Sequence, residues 1–208
     1  FYRNIIIIIW PCCHNNMGTA FMEKGDYDLA EESYRRALEI NPDYAEAHNN
    51  MGIVLKERRE FDLAIESYRR ALEINPVLAE AHLNIGNALR EKVEIDGAIE
   101  SYARALEINP DYVEAHTNMG AVLNEKGAIE EAIASCETAL SINPEHVDAF
   151  VNLGNVLKDK GDLDEAMESY KRALSINPEY FEAHLNMGNV LKDIGSIDGA
   201  IESYARAL

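Results

Sequence analysis

Six asparagines stand 34 residues apart, at Asn16, Asn50, Asn84, Asn118, Asn152 and Asn186, and a second set follows at Asn87, Asn155 and Asn189. A primary amide carries donors and an acceptor, so a row of them can pair with the backbone of an extended peptide without reading its side chains. Carboxylates keep step with the amides. Glu46, Glu80, Glu114, Asp148 and Glu182 recur four residues before the row, and Glu23, Glu57, Glu91, Glu125, Asp159 and Asp193 recur seven residues after it. His14, His48, His82, His116 and His184 make another periodic set. Imidazoles bind metals or change charge near neutral pH, but a 34-residue spacing places each on a separate unit, so they do not converge on one ion. The reading they favour is packing between elements in place of a large aromatic side chain. A pH sensor is the alternative.

Catalysis has no comparable constellation. The chain lacks a Gly-rich phosphate loop with Lys, H-E-x-x-H and G-x-S-x-G, and carboxylates that recur with a fixed period face solvent instead of meeting in a pocket. Cys136 reads as a small buried hydrophobe and not as a nucleophile. Cys12, Cys13 and His14 could ligate a metal, but no fourth ligand lies nearby in sequence. The segment reads as non-catalytic, with no cofactor.

Charge narrows the partners. Of 208 residues, 19 are Lys or Arg and 37 are Asp or Glu, a net charge of −18, and 47% are hydrophobic. That apolar content argues against intrinsic disorder. The field repels phosphate backbones and anionic membrane surfaces, which leaves basic or neutral proteins and peptides. The longest aliphatic and aromatic run, Ile5 to Trp10, falls far short of the roughly 20 residues that span a bilayer. Three cysteines without paired C-x-x-C spacing favour a reducing compartment, cytoplasm or organelle interior. The chain starts at Phe1 and not Met, which leaves a cleaved targeting segment open.

The elements that position these rows follow from the prolines. Pro42, Pro76, Pro110, Pro144 and Pro178 are 34 residues apart, each after Asn. Taking each as position 32 defines units 11–44, 45–78, 79–112, 113–146, 147–180 and an incomplete 181–208, preceded by an irregular hydrophobic segment 1–10. Position 8 is Gly in all six units, and positions 20 and 27 are Ala. Such small residues allow close helix approach. Positions 3, 4, 7, 8, 10, 11 and 14 lie on one mostly apolar side of a first helix. Near position 15, Gly25, Gly127, Gly161 and Gly195 can take the left-handed conformation of a helix end. Arg59 and Val93 stand there in the second and third units, so those turns are expected to close differently. A second helix ends before each Asn-Pro. An acidic coiled coil is rejected, because an interior proline costs about 3 kcal/mol. The expected class is all-α, an α-solenoid of antiparallel helix pairs.

This pattern resembles the tetratricopeptide repeat over residues 11–208. In the fifth unit the family positions 4, 7, 8, 11, 20, 24, 27 and 32 are Phe150, Leu153, Gly154, Leu157, Ala166, Tyr170, Ala173 and Pro178. Departures are His for the aromatic at position 4 in five units and Cys136 at position 24 in the fourth. Units three and six share 20 of 28 positions, which suggests a three-unit duplication. The resemblance implies a right-handed superhelix whose first helices line a concave groove. Positions 2, 6, 9 and 13 cluster within about 60° on the face opposite the apolar side, so the groove is expected to present the Asn rows edged by acids. The groove residues are Asn50, Asn84, Asn87, Asn118, Asn152, Asn155, Asn186 and Asn189 with Glu80, Glu114 and Asp148. A bland reading stands beside this one: Asn is common at position 6 of the family, and acids at position 2 suit the helix dipole. A chaperone-type carboxylate clamp is not expected, because position 5 carries no cation and each cation at position 12 (Lys56, Arg90, Lys158, Lys192) is followed by an acid. Arg35/Arg36, Arg69/Arg70 and Lys171/Arg172 belong to a solvated outer face.

The functional expectation is an interaction scaffold. The position-6 Asn row is also similar to the substrate-recognition superhelix of O-linked N-acetylglucosamine transferases and SPINDLY-type proteins, which implies at most the arm of an enzyme whose catalytic domain is absent from this chain. An assembly subunit of a large complex is the third reading. The isoleucine run prefers extended structure, docking on a partner or against the first repeat. Both ends are expected to be covered by further repeats or by a neighbouring subunit.

Overall fold

The computed structural model describes residues 2–208, with side chains from Trp10 onward, and these residues form helices and no strand. The helices are α1 (Tyr2–Glu23), α2 (Tyr27–Ile40), α3 (Ala45–Glu57), α4 (Phe61–Ile74), α5 (Ala79–Glu91) and α6 (Ile95–Ile108), then α7 (Val113–Lys126), α8 (Ile129–Ile142), α9 (Val147–Lys160), α10 (Leu163–Ile176), α11 (Phe181–Asp193) and α12 (Ile197–Arg206). They group into two compact units, Phe1–Ile108 and Asn109–Leu208. Each unit holds three helix pairs. Within each pair the helices pack on one another, and inside a unit the second helix of one pair packs on the first helix of the next. This is the expected α-solenoid arrangement.

The close approach rests on one contact. A Cβ added at Gly52 would sit 2.4 Å from the Tyr68 ring, and the corresponding distance at Gly86, Gly154 and Gly188 is 2.5 Å to Tyr102, Tyr170 and Tyr204. Glycine at position 8 is therefore the floor on which the position-24 tyrosine lies. Tyr34, Tyr68, Tyr102 and Tyr170 are buried there with the alanines of positions 20 and 27. Burying such a side chain contributes about 1.5–3 kcal/mol. In the fourth repeat Cys136 fills the place, its Sγ 2.5 Å from a Cβ built on Gly120.

The asparagine before each proline has its own task. Asn41, Asn75, Asn109, Asn143 and Asn177 each accept, through Oδ1, the N–H two residues on, at 3.1–3.4 Å. This Asx turn spans the proline, which has no N–H to give. Three of the position-4 histidines close the same loops. Nε2 of His48, His116 and His184 donates to the carbonyl of Pro42, Pro110 and Pro178 at 2.8–2.9 Å. A carbonyl only accepts, so each ring carries its proton on Nε2.

Two expectations need correction. The turns at Arg59 and Val93 do not close differently. Both residues are left-handed, with φ of 63° and 62°, like Gly25, Gly127, Gly161 and Gly195. Arg59 and Val93 donate to Lys56 and Arg90 at 2.8 Å, and Glu60 and Glu94 donate to Leu55 and Leu89 at 2.8 and 2.9 Å. Gly127 and Ala128 make the same bonds to Asn124 and Leu123, both at 2.9 Å. Packing of the two helices thus imposes the turn, and the side chain bears the strain. The second correction concerns residues 2–10, which continue α1 as helix and do not extend, with Pro11 inside the helix. Isoleucine costs less than about 0.7 kcal/mol per residue in a helix, too little to override a continuing one. Phe1 and the side chains of residues 2–9 lie outside those described, and with them the expectation that the isoleucine run docks.

Candidate functional site

The first helices carry the candidate residues. In the first unit Asn50 and Asn84 are set on α3 and α5, and in the second Asn118, Asn152 and Asn186 on α7, α9 and α11. Successive repeats differ by 34 residues, so a donor at position 6 meets an acceptor near position 5 of the repeat before it. Asn50 Nδ2 donates to Asn15 Oδ1 at 3.0 Å, Asn84 to Asn49 Oδ1 at 3.1 Å, and Asn152 to the Thr117 carbonyl at 3.2 Å. Asn186 reaches Asn155 Oδ1 at 2.9 Å. Asn118 is engaged as well. Within each unit the amide row thus ties a first helix to the next. Asn84, only 9% exposed, is the most enclosed of those paired within a unit.

The position-9 amides face a different partner. Tyr102, Tyr170 and Tyr204 donate their hydroxyls to Oδ1 of Asn87, Asn155 and Asn189 at 2.8, 2.8 and 2.9 Å. Thr19 serves Tyr34 at 3.3 Å. Sequence reading placed these asparagines in the groove without seeing the tyrosine beneath them. A signal was there: in the fourth repeat, where position 24 is Cys136, position 9 is Ala121. Thr117, Asn15 and Asn49, buried at position 5, were missed as the acceptors of the amide row.

The carboxylates of the two edges remain exposed at Glu80, Glu114 and Asp148 and at Glu57, Glu91, Glu125, Asp159 and Asp193. Asn49 holds Glu80 Oε1 at 3.1 Å, and Tyr180 donates its hydroxyl to Asp148. Asn124 holds Asp159 at 2.8 Å. Several acids are thereby oriented by neutral donors. At the α3 and α5 ends, Lys56, Glu57, Arg59, Phe61, Asn87, Arg90 and Glu91 line a 360 Å³ depression. Its cations are paired: Lys56 with Glu57 at 3.1 Å and Arg59 with Glu91 at 3.8 Å, Arg59 lying over the Phe61 ring, while Arg90 is also engaged. Arg35, Arg36, Arg69, Arg70, Lys171 and Arg172 are exposed on second helices.

Burial pushes the Cys136 thiol up to about 12, with Glu137 adding to it. Cys12 and Cys13 are exposed. No group of three metal-binding side chains converges among the described residues, and no described helix is long and apolar enough to cross a membrane.

A family model described as TPR repeat matches residues 18–58, 86–127, 120–161 and 154–195, and one described as tetratricopeptide repeat matches residues 45–76. No curated protein matches the chain by sequence. Among solved structures the fold is similar to PilF of Pseudomonas aeruginosa, with a TM-score of 0.82 at 22% identity over 95% of this chain and 90% of that one. It is similar to PilW, a type IV pilus biogenesis factor, with a TM-score of 0.86 at 24% identity over 94% and 91%. It is also similar to YrrB, a TPR protein with an unusual peptide-binding site, with a TM-score of 0.64 at 24% identity over 85% and 91%. These matches identify the repeat, a protein-interaction module, and indicate no enzymatic family; they do not by themselves show a likeness to the O-linked N-acetylglucosamine transferase or SPINDLY-type superhelices. With the repeat model matching well over half of its length, the chain belongs to the tetratricopeptide-repeat family.

Proposed function

We propose that the first-helix face of each unit binds an extended peptide segment of basic or neutral character, and that the segment acts as a non-catalytic scaffold. The observation that carries this reading is the arrangement of exposed carboxylates at positions 2 and 13 on either side of amides already set by inter-repeat bonds. Eleven residues of helix separate the two acid rows, about 16 Å at 1.5 Å per residue, which is wide enough for one extended strand and its side chains. Anionic segments are opposed on both edges, and cationic side chains are met on both.

The second unit gives a clean test. The probe is a blocked, fluorescein-labelled peptide with Arg at alternate positions, followed by anisotropy. Glu114→Gln, Asp148→Asn and Glu182→Gln together remove three exposed charges. At 0.2–1 kcal/mol per exposed pair the loss is about 1 kcal/mol or more, roughly fivefold in affinity. Glu131→Gln, Glu137→Gln and Glu168→Gln, equally exposed on second helices, leave affinity within about twofold on this reading. Equal losses from both triple variants would reduce the binding to unspecific charge attraction and remove the groove.

A further inference from the structure

The second repeat breaks the pairing that the others keep. Tyr34, Tyr102, Tyr170 and Tyr204 all find a partner at position 9 of their own repeat. Tyr68 is 0% exposed, and its hydroxyl has no hydrogen-bond partner among the described residues. The reason is in the sequence: position 9 of this repeat is Ile53. Where position 9 is Asn155, one amide oxygen accepts from Tyr170 beneath it and from Asn186 of the next repeat. At Ile53 the same two donors, Tyr68 and Asn84, have lost that oxygen. Asn84 turns to Asn49, and Asn49 turns its own N–H to Glu80. Tyr68 has no substitute, and a buried hydroxyl without a partner is costly.

We propose that this slot on the first unit receives the side-chain carboxamide of a Gln or Asn in a bound peptide, its oxygen accepting from Tyr68 and its N–H groups donating to Glu80. The inference rests on the groove reading above and names one side chain that the groove selects. Chemistry disfavours cations, carboxylates and apolar side chains. An ammonium or guanidinium offers no acceptor to the hydroxyl hydrogen. A carboxylate is opposed by Glu80 and by Glu57, although Glu57 is itself paired with Lys56. Burial, with Glu57 and Glu80 nearby, pushes the Tyr68 pKa up, so the hydroxyl stays protonated as a donor. An apolar side chain leaves the hydroxyl unpaired. Ile53 is partly exposed and packed against the cluster that contains Tyr68, and on this proposal it is the side chain that must move aside.

Three blocked peptides on a Ser/Ala/Thr background, with a single central Gln, Met or Glu, provide the probe. Met is close to Gln in size and lacks the amide, and Glu is its charged counterpart. The Gln peptide is expected to bind the full chain at least fivefold more tightly than the Met peptide and tenfold more tightly than the Glu peptide. Tyr68→Phe and Ile53→Asn should each erase that preference, the first by removing the donor and the second by filling the slot with the protein's own amide. Neither should lower the thermal midpoint, because one deletes an unpaired group and the other pairs it. Equal affinity for the Gln and Met peptides, a preference that survives both variants, or no binding of the Gln peptide overturns the slot. If the slot fails while the second-unit charge variants still weaken the arginine peptide, the groove stands without it. If both fail, the face reading falls as well.

Discussion

Replacing Val93 by glycine should make the protein more stable, although it removes a side chain and adds a flexible residue. Val93 sits at φ 62°, where an L-residue crowds its Cβ against the following carbonyl at a cost of about 1–2 kcal/mol. A β-branched side chain lies at the upper end of that range. Little packing is at stake, because Val93 is 77% exposed. Both turn bonds, Val93 N–H to Arg90 and Glu94 N–H to Leu89, are backbone bonds that glycine keeps, as Gly127 and Ala128 show in the fourth repeat. Against this, glycine's extra freedom in the unfolded chain costs about 0.5–1 kcal/mol. The net gain is about 1 kcal/mol, or about 2–4 °C in a chain of this length. Repeat arrays need not unfold in one step, so circular dichroism melts should be paired with hydrogen exchange of the amides of residues 89–94. Val93→Ala keeps a Cβ at positive φ and serves as the control, with an expected gain smaller than that of glycine. A glycine variant no more stable than the parent, or an alanine variant that gains as much, would refute the assignment of strain to this turn.

Tyr170→Phe removes a 2.8 Å bond to Asn155, whose oxygen keeps Asn186 as a second donor; the expected loss is about 1 kcal/mol in urea unfolding, where Tyr68→Phe should lose nothing. Cys136, its thiol pushed up to about 12 mainly by burial, should resist an aromatic disulfide reagent at pH 8 in the folded protein, while the exposed Cys12 and Cys13 react; labelling of three thiols at equal rates would contradict the burial. His82 is held below its ordinary 6.5, by burial first and by Arg104 second. A base with a depressed folded pKa lends stability that is complete above its unfolded value and is lost as pH falls from 6.5 toward the folded value. Melting midpoints should therefore fall between pH 7.5 and 5.5, and His82→Asn should shrink that fall; an unchanged pH dependence would remove His82 as its source.

The parts legible in the sequence are those that one residue decides locally. An Asn-Pro pair stops a helix wherever it stands, and a glycine repeated at position 8 marks a close contact before its partner is known. Arg59 and Val93 were misread for the opposite reason: propensity argues against a left-handed valine, and tertiary packing of α5 on α6 overrides it. The candidate face was half legible. Helical spacing put Asn84, Asn87 and Glu80 on one side of α5, but spacing is blind to what lies across the repeat boundary. That Asn84 bonds Asn49, or that Asn155 sits over Tyr170, follows only once neighbouring helices are placed. Position 5 was read only for cations: Asn15 and Asn49 accept through side-chain oxygens and Thr117 through its backbone carbonyl, and a backbone acceptor leaves no mark in the sequence.

An amide joined to its neighbour has less to offer a ligand, which sets the inter-repeat bonds against peptide binding on a simple count of donors. The energetics run the other way. A primary amide has two N–H donors and a carbonyl with two lone pairs, and each position-6 asparagine paired within a unit spends a single donor on the repeat before it. The bond fixes which way the amide points. Ordering a mobile side chain at an interface costs about 0.5–1.5 kcal/mol, and here folding has already met that cost for Asn50, Asn84, Asn152 and Asn186. The same holds for Glu80, restrained by Asn49, and for Asp148, restrained by Tyr180. A face whose donors and acceptors are oriented before the partner arrives can hold a peptide backbone with bonds that would be worth little if each side chain had to be ordered on binding. It follows that alanine at Asn84 cannot separate folding from binding, because it removes a 9%-exposed inter-repeat bond together with the groove amide. Exposed acids such as Glu114 and Glu182, and the unpaired hydroxyl of Tyr68, are where the two can be pulled apart.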